Sequence, residues 1–550
     1  MEKFNYDIDT WKVIESYLKE DNYKNLIRHH IDSYNEFTDS KIEQIVKQSN
    51  PLVIFNNYDE SKNSYKYEIN VNFGNIYFNK PVIFENNGST KLMYPQDARL
   101  RNLTYSSQLL IDLNIEIYLN ENGEKQMLNR KELKKVNIGK IPMMIGSKYC
   151  NSNINDINEC KYDLGGYFIV NGNEKVIVGQ EKIAEQKVYV FKASKNNLKY
   201  SHIAEVKSVN KVGFNTPKNC SIKFSNKDIL KGKTLKVNIP HCRVDIPLFI
   251  VFRSFGIISD KDIIKHILYN IDNNLDKLDL LQSTIEEGSC VNTQEEALEY
   301  ILRYSSILGQ PKDIKLNRER KLILFKEMME RDVLAHVGVS FKKKALFLGY
   351  MVNKLLRCYF NELDYDDRDS YCNKRVETSG YLMALLFRQY FTKMTKDMRN
   401  QIMKELNSNP WKNSKQMNIE SIINNNNLFK IIKSTTIESG IKYGLATGNW
   451  GIKSTTNKVG IAQVLNRLTY NATLSHLRRV NTPTEKTGKL IPPRKLHNTQ
   501  YGIICPAETP EGGSVGLVKN LSIMTYITNQ SSEKPILKII ALLLDNILHD

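Results

Sequence analysis

The chain contains no Cys-x-x-Cys pair, and none of its eight cysteines stands with a histidine at zinc-ligand spacing, so no zinc site is expected in it. The cysteines are spread from Cys150 to Cys505 through 550 residues. That is far from the density of a disulfide-stapled domain, and it predicts reduced thiols in an intracellular setting. No uncharged apolar run approaches the ~18 residues needed to span a bilayer. The runs at 246–252 and 539–544 are short and flanked by charges, so no membrane partner is expected. The opening MEKFNYDID lacks the charged-then-apolar pattern of a signal peptide. Gly232-Lys233-Thr234 resembles the end of a phosphate-binding loop, but that loop requires a glycine five positions earlier, and Lys227 stands there. His476 and His497 have no Ser or Cys partner in a nucleophile motif. No repeat of solenoid period is present.

What the chain does have is positive charge: 78 Lys and Arg against 60 Asp and Glu, a net +18 and a pI near 9.2. Such a balance favours a nucleic-acid partner. Lys and Asn are abundant throughout, as an AT-rich genome produces, so part of the charge is compositional. The hydrophobic content of 41% allows a core in each of about three or four domains.

Trp11, Val13, Ile14, Tyr17 and Leu18 share one helical face after Thr10, a candidate N-cap. A second helix is expected through Leu26, Ile27, Ile31 and Tyr34. Alternating segments over 51–85 and 109–120, with Asn87-Gly88 and Asn122-Gly123 as turns, predict a substantial sheet. Asn171-Gly172 between two apolar runs predicts a hairpin, followed by a short helix and another strand near 188–191. Asn173, Lys175, Gln180 and Lys182 read equally as a polar edge near a ligand or as solvated hairpin residues. Short Lys-rich strands run from about 190 to 240, and helices follow. The clearest is 341–360, where Leu348, Met351, Val352, Leu355 and Leu356 form a core stripe. The four aspartates of 364–370 surround Arg368 and lack a Gly-centred calcium loop, so they read as loop and capping carboxylates. Helices resume over 375–406, and 407–427 is an Asn-rich surface excursion. The fold class is α+β and multidomain.

The most basic and turn-rich stretch lies near the C-terminus. Between Ile441 and Asn520 stand eleven Lys or Arg, three Glu and no Asp, as in a segment lining a groove for a polyanion. Gly448-Asn449-Trp450-Gly451 leads into a cationic loop with Lys453. A helix is expected to carry Gln463, Asn466, Arg467, Tyr470, His476, Arg478 and Arg479. Adjacent Arg478 and Arg479 do not share a face, so one is expected to reach nucleic acid while the other pairs internally. Residues 481–495 place Lys486, Lys489, Arg494 and Lys495 among Pro483, Gly488, Pro492 and Pro493, a pattern that suits a phosphate-contacting finger as well as an ordinary basic loop. Glu508 and Glu511 in CPAETPEGG fit acid–base chemistry, orientation of nearby arginines or tuning of a phosphate site; spacing leaves these open.

GGYFIVNGNEKVIVGQE, YPQDARLRNLTYSS, ALFLGYMVNKLL, DDRD and above all QVLNRLTYNATLSHLRRVNTP, PRKLHNTQYGIICPAETPEGG and VGLVKNLS resemble the second-largest, β-like subunit of multisubunit DNA-directed RNA polymerases. The likeness extends from about Trp11 to the C-terminus. It is nearer to eukaryotic nuclear and large-DNA-virus forms than to bacterial ones. It implies a mixed sheet-and-helix protrusion over 1–187 and 388–447, an inserted lobe over 188–387, a fork over 448–528 and the start of a following domain over 529–550. It further implies that fork loops near 448–459 and 484–491 lie by the RNA–DNA hybrid and the melting downstream DNA. Gln463 and Arg479 then match RNA-contacting positions, and Glu511 a position near nucleotide addition. Arg478, Lys453, Lys486, Lys489 and Arg494 complete the expected nucleic-acid-binding set.

The resemblance implies a nucleotidyltransferase complex acting in transcription, with this chain inactive alone. Mg2+ would be held mainly by the largest subunit. The expected partners are that subunit, a separate chain carrying the missing C-terminal half, template DNA and the RNA–DNA hybrid. The Lys/Asn-rich composition suggests an AT-rich virus or protist, of which a virus is preferred; the expected location is the nucleus or, if viral, host cytoplasm or virion. The alternative is a non-catalytic nucleic-acid-binding or assembly protein on the same scaffold.

Overall fold

A computed structural model describes residues 6–17, 23–59, 64–121, 124–151, 159–193, 199–210, 213–226, 232–272, 274–306, 318–406, 429–452, 458–484, 490–529 and 533–549. The Asn-rich stretch at 407–427 and the Asn122-Gly123 turn lie outside these residues. The chain divides into two compact units: Met1–Lys182 with Val376–Asp550, and Ile183–Arg375.

A helix over Tyr6–Tyr17 opens the first unit. It starts before Thr10, so Thr10 is not its cap, and Trp11 and Val13 are exposed. After a turn of 3-10 helix at Tyr23–Ile27 comes α1 (Arg28–Glu36). The main sheet is antiparallel, in the order β1 (Leu52–Asp59), β2 (Ser64–Phe78), β3 (Ser106–Glu121) and β4 (Glu124–Pro142). Alternation decides its inner face. Ile69 stands opposite Ile117 and Val71 opposite Ile115, and all four are buried. Helices α2 (Ser379–Leu406) and α3 (Thr435–Thr447) cover this face. Phe73 meets Phe391 edge to face at 5.3 Å between centroids. Each such buried ring contributes about 1.5–3 kcal/mol. Gly380 lets α2 cross α1, because a Cβ there would fall 1.8 Å from the Ser33 carbonyl oxygen.

Two small sheets follow. β5 (Phe168–Val170) and β6 (Asn173–Ile177) form the expected hairpin, turned by Asn171 and Gly172 at φ 50° and 77°, the left-handed pair that a tight hairpin requires. The expected short helix is instead a strand, β7 (Gly179–Ile183). Its Gly179 and Gln180 pair in parallel with Val480 and Asn481, and that pairing overrides local preference. After α3 come β8 (Ala462–Val464), α4 (Tyr470–Leu477), β9 (Arg479–Asn481), β10 (Val518–Asn520) and α5 (Lys534–His549). β8 adds to β6, while β9 lies between β7 and β10. No described helix is long and apolar enough to cross a membrane.

The second unit is an antiparallel meander of strands Val188–Lys192, Tyr200–Ser208, Lys218–Ser225, Leu235–Asn238 and Ile246–Pro247. Val190, Val206, Ile222, Leu235 and Val237 enter one core with the fully buried helix Leu248–Ser254. The stripe Leu348, Met351, Val352, Leu355 and Leu356 on the helix Phe341–Tyr359 is buried in the same core. In the aspartate-rich loop, Asp366 accepts from the Val190 backbone N–H at 2.8 Å and from Lys354 at 2.7 Å. The fold as a whole is α+β and multidomain.

Candidate nucleic-acid interface

The basic stretch is not one helix. Gln463 belongs to β8, where its backbone faces Val176 of β6. The helical part is confined to α4, whose start is capped by the Thr469 hydroxyl accepting from Ala472 N–H at 3.1 Å. α4 ends at Leu477 and β9 begins at Arg479, so Arg478 alone forms the joint.

The two adjacent arginines part company at this joint. Arg478 is buried. Its Nη1 donates to the Leu26 carbonyl, and its Nη2 donates to the carbonyls of Ser522 and, at 3.2 Å, Ile523. It is spent on the fold rather than presented to a nucleic acid, which removes it from the expected contact set. Arg479 is half-buried, and its Nε has no hydrogen-bond partner. No described carboxylate forms an ion pair with it. Burial lowers its pKa below the ordinary guanidinium value, and the charge of Glu508 opposes that shift. A half-buried cation with no described carboxylate paired to it is suited to an incoming anion.

Gln463 is held from both ends. Asn466 N–H donates to His476 Nδ1 at 3.1 Å, so the neutral ring carries its proton on Nε2, which donates to Gln463 Oε1 at 3.0 Å. Gln463 Nε2 donates to the Gly460 carbonyl at 3.1 Å. Burial, with the Arg479 charge adding to it, lowers the His476 pKa to about 4 and keeps the ring neutral. His476 therefore links Gln463 to the neighbourhood of Arg479. Ser475, on the same helix, donates to the Glu508 carboxylate, which brings the ETPEG loop to α4.

Arg494 braces that loop. Its Nη1 donates to the carbonyls of Gly513 at 2.8 Å and Val515 at 2.9 Å. Gly516 has φ +70°, and a Cβ there would lie 2.2 Å from the Arg494 carbonyl oxygen. Glu511 is exposed immediately before the short turn Gly512–Ser514. Lys453, Lys486 and Lys489 lie outside the described residues. The base of the first loop is closed by reciprocal backbone bonds between Trp450 and Lys458 at 2.8 and 3.2 Å. The Trp450 indole N–H is anchored on the Leu382 carbonyl at 2.8 Å.

Supporting residues came to light only in three dimensions. Lys519 on β10 and Glu181 on β7 form a buried ion pair at 3.0 Å, joined by the Thr482 hydroxyl at 2.8 Å. Of the hairpin residues, Gln180 is buried and accepts from Asn481 at 3.1 Å, and Lys175 donates to the Ala446 carbonyl at 3.0 Å. Arg467 bonds Glu174 at 2.6 Å and Asp163 at 3.0 Å, while Arg99 approaches Glu174 at 2.9 Å. No short-range pattern announces any of these pairs. The arrangement offers a fixed amide and a half-buried guanidinium, both means of gripping a phosphodiester backbone.

The sequence profile of the family described as "RNA polymerase beta subunit" matches residues 25–431. That described as "RNA polymerase Rpb2, domain 3" matches residues 463–527, which include Gln463, His476, Arg478 and Arg479. The chain is similar to DNA-directed RNA polymerase II subunit 2 of Arabidopsis thaliana, with 38% identity over 96% of this chain and 44% of the relative. Subunit RPB2 of Encephalitozoon cuniculi (strain GB-M1) is 39% identical, again over 96% and 44%. The chain thus spans less than half the length of these relatives. RNA polymerase subunit Rpo2N of Methanococcus vannielii is 33% identical over 96% of this chain and 97% of its own length.

Proposed function

The chain belongs to the RNA polymerase beta-subunit family as an N-terminal part of the second-largest subunit, and we propose that it grips the RNA–DNA hybrid and guides downstream DNA during template-directed RNA synthesis. The observation that carries this reading is Arg479, half-buried and in no ion pair with a described carboxylate, on the same short helix-to-strand segment whose His476 fixes Gln463. Gln463 and Arg479 hold the backbone of the hybrid, and the loop lysines Lys453, Lys486 and Lys489 add phosphate contacts. Arg494 acts by shaping the loop that presents Glu511 near nucleotide addition.

Polymerisation itself needs the rest of the assembly. The partners are the largest subunit and the remaining portion of the second-largest one, whether joined to this chain or carried separately. The length match to Rpo2N supports a divided subunit. Among the described residues no three His, Cys, Asp or Glu side chains are grouped to hold a metal ion. They do not fit the Mg2+ of the family's chemistry, whose ligands we assign to the largest subunit. The compact unit Ile183–Arg375 supports a lobe inserted in a protrusion, with the fork over 448–528. Eukaryotic relatives support a eukaryotic type of subunit at work inside the cell, whereas a viral source rests on composition alone.

The test is Arg479→Ala in a polymerase reconstituted with this chain. Elongation complexes are expected to dissociate roughly tenfold faster at moderate salt, with a shallower salt dependence. Unchanged complex stability would overturn the assignment.

A further inference from the structure

The joint between α4 and β9 is gripped by a segment far away in sequence. Leu477 is the last residue of α4, so its carbonyl has no partner within the helix. His30, on α1 and 447 residues distant, supplies one: its Nε2 donates to the Leu477 carbonyl at 2.6 Å. With its proton on Nε2, the neutral ring accepts at Nδ1 from the Ser379 hydroxyl at 3.2 Å. The Ser33 hydroxyl, which donates to the His30 carbonyl at 3.0 Å, holds the backbone beneath. One helical turn before His30, the Leu26 carbonyl accepts from Arg478. The segment Leu26–His30 therefore takes hold of the joint twice, once as donor and once as acceptor. Both bonds fall on the two residues directly before Arg479.

We propose that His30 is a positioning residue for Arg479: its bond to Leu477, with that of Arg478 to Leu26, sets the exit direction of the chain from α4 and so aims the Arg479 guanidinium at the nucleic acid. This rests on the reading of Arg479 as a hybrid contact. His30 touches neither nucleic acid nor substrate. Its effect runs through one buried hydrogen bond to the carbonyl that ends α4.

The experiment compares reconstituted polymerases carrying His30→Ala, His30→Gln, Arg479→Ala and the double variant His30→Ala/Arg479→Ala. Elongation-complex dissociation is read across a salt series, with assembly yield and thermal melting measured in parallel. His30→Ala is expected to speed dissociation roughly fivefold. The double variant should dissociate no faster than Arg479→Ala alone. The amide of His30→Gln, able to donate to the Leu477 carbonyl, should restore most of the loss. If His30→Ala does not assemble, Ser379→Ala, which frees the ring at Nδ1, should give a smaller loss that likewise vanishes beside Arg479→Ala. An additive double variant, or no rescue by Gln, overturns the role of His30 while leaving that of Arg479. A neutral Arg479→Ala overturns both.

Discussion

His476 donates from Nε2 to Gln463 Oε1 at 3.0 Å, across thirteen residues that pass from strand through loop to helix. The proton is on that nitrogen because the Asn466 N–H occupies the other. The orientation of Gln463 is thus decided by a backbone amide two bonds away in the chain of contacts. His476→Phe removes both ring bonds and keeps the volume. The expected result is a loss of about 1–2 kcal/mol in stability and weaker hybrid retention in the assembled polymerase, the second effect being absent when Gln463→Ala is already present. Equal losses in both backgrounds would count against the coupling.

Acid should weaken the fold through its buried imidazoles. Burial lowers His30 and His476 to about 4, and it lowers His29 well below its ordinary value. Unfolded histidines titrate near ~6.5, so below that pH the unfolded chain takes up protons that the folded chain refuses. Stability is full above the unfolded value and falls as pH drops toward 4, by up to ~1.4 kcal/mol per pH unit for each group. Melting temperature followed from pH 7 to pH 4.5 should show this slope, and His30→Gln should flatten part of it. A melting temperature that does not change over that range would contradict the burial of these rings.

Arg478→Met should lower stability and, by loosening the joint before Arg479, weaken nucleic-acid binding only through that neighbour. It leaves the carbonyls of Leu26 and Ser522 without their donor, at a cost of about 2–4 kcal/mol. Denaturant titration measures that. In the Arg479→Ala background, at a temperature where both variants are folded, Arg478→Met should leave the salt dependence of nucleic-acid binding unchanged. A further reduction there would mean that Arg478 reaches phosphate itself.

The Lys519–Glu181 pair offers a different test, because breaking it and replacing it have opposite consequences. Lys519→Met leaves a buried carboxylate uncompensated and should cost about 3–5 kcal/mol. Lys519→Met with Glu181→Gln should recover at least half of that in chemical denaturation. Absence of recovery would show that the pair is not the source of the loss.

Gly516→Ala should dislodge the loop that carries Glu511. The φ of +70° and the 2.2 Å approach to the Arg494 carbonyl oxygen leave no place for a methyl group. A loss of about 1–3 kcal/mol is expected, together with slower nucleotide addition by the assembled polymerase. Proteolysis of the 505–518 region should become faster. Unaltered proteolysis would argue that the loop has a second conformation that tolerates the side chain.

The parts of this molecule that could be read from residues are those governed by near neighbours. Alternation foretold the buried rows of β2 and β3, helical spacing foretold the stripe from Leu348 to Leu356, and Asn171-Gly172 foretold its own hairpin. Local reading failed where distant backbone took over. Gln463 was expected in a helix, but pairing with Val176 draws it into a strand. The residues following Val178 were expected to be helical, but Val480 and Asn481 offered Gly179 and Gln180 a strand to join. Of the site, Gln463 and Arg479 were singled out by the family resemblance rather than by their type, and the expectation that one of the two adjacent arginines pairs internally stood beside a contact set that counted both. His30 and Glu181 were invisible, because nothing near them in sequence hints at partners 447 and 338 residues away.

The single-residue joint between α4 and β9 also makes length itself a determinant. Successive residues of a strand point to opposite sides, so adding or removing one residue between Leu477 and Arg479 would turn the guanidinium to the far side and bring a neighbour to the place it left. There is no loop to absorb the change. Two chains identical in every named side chain, but differing by one residue at this point, would therefore differ in the placement of this guanidinium as fully as if Arg479 had been replaced.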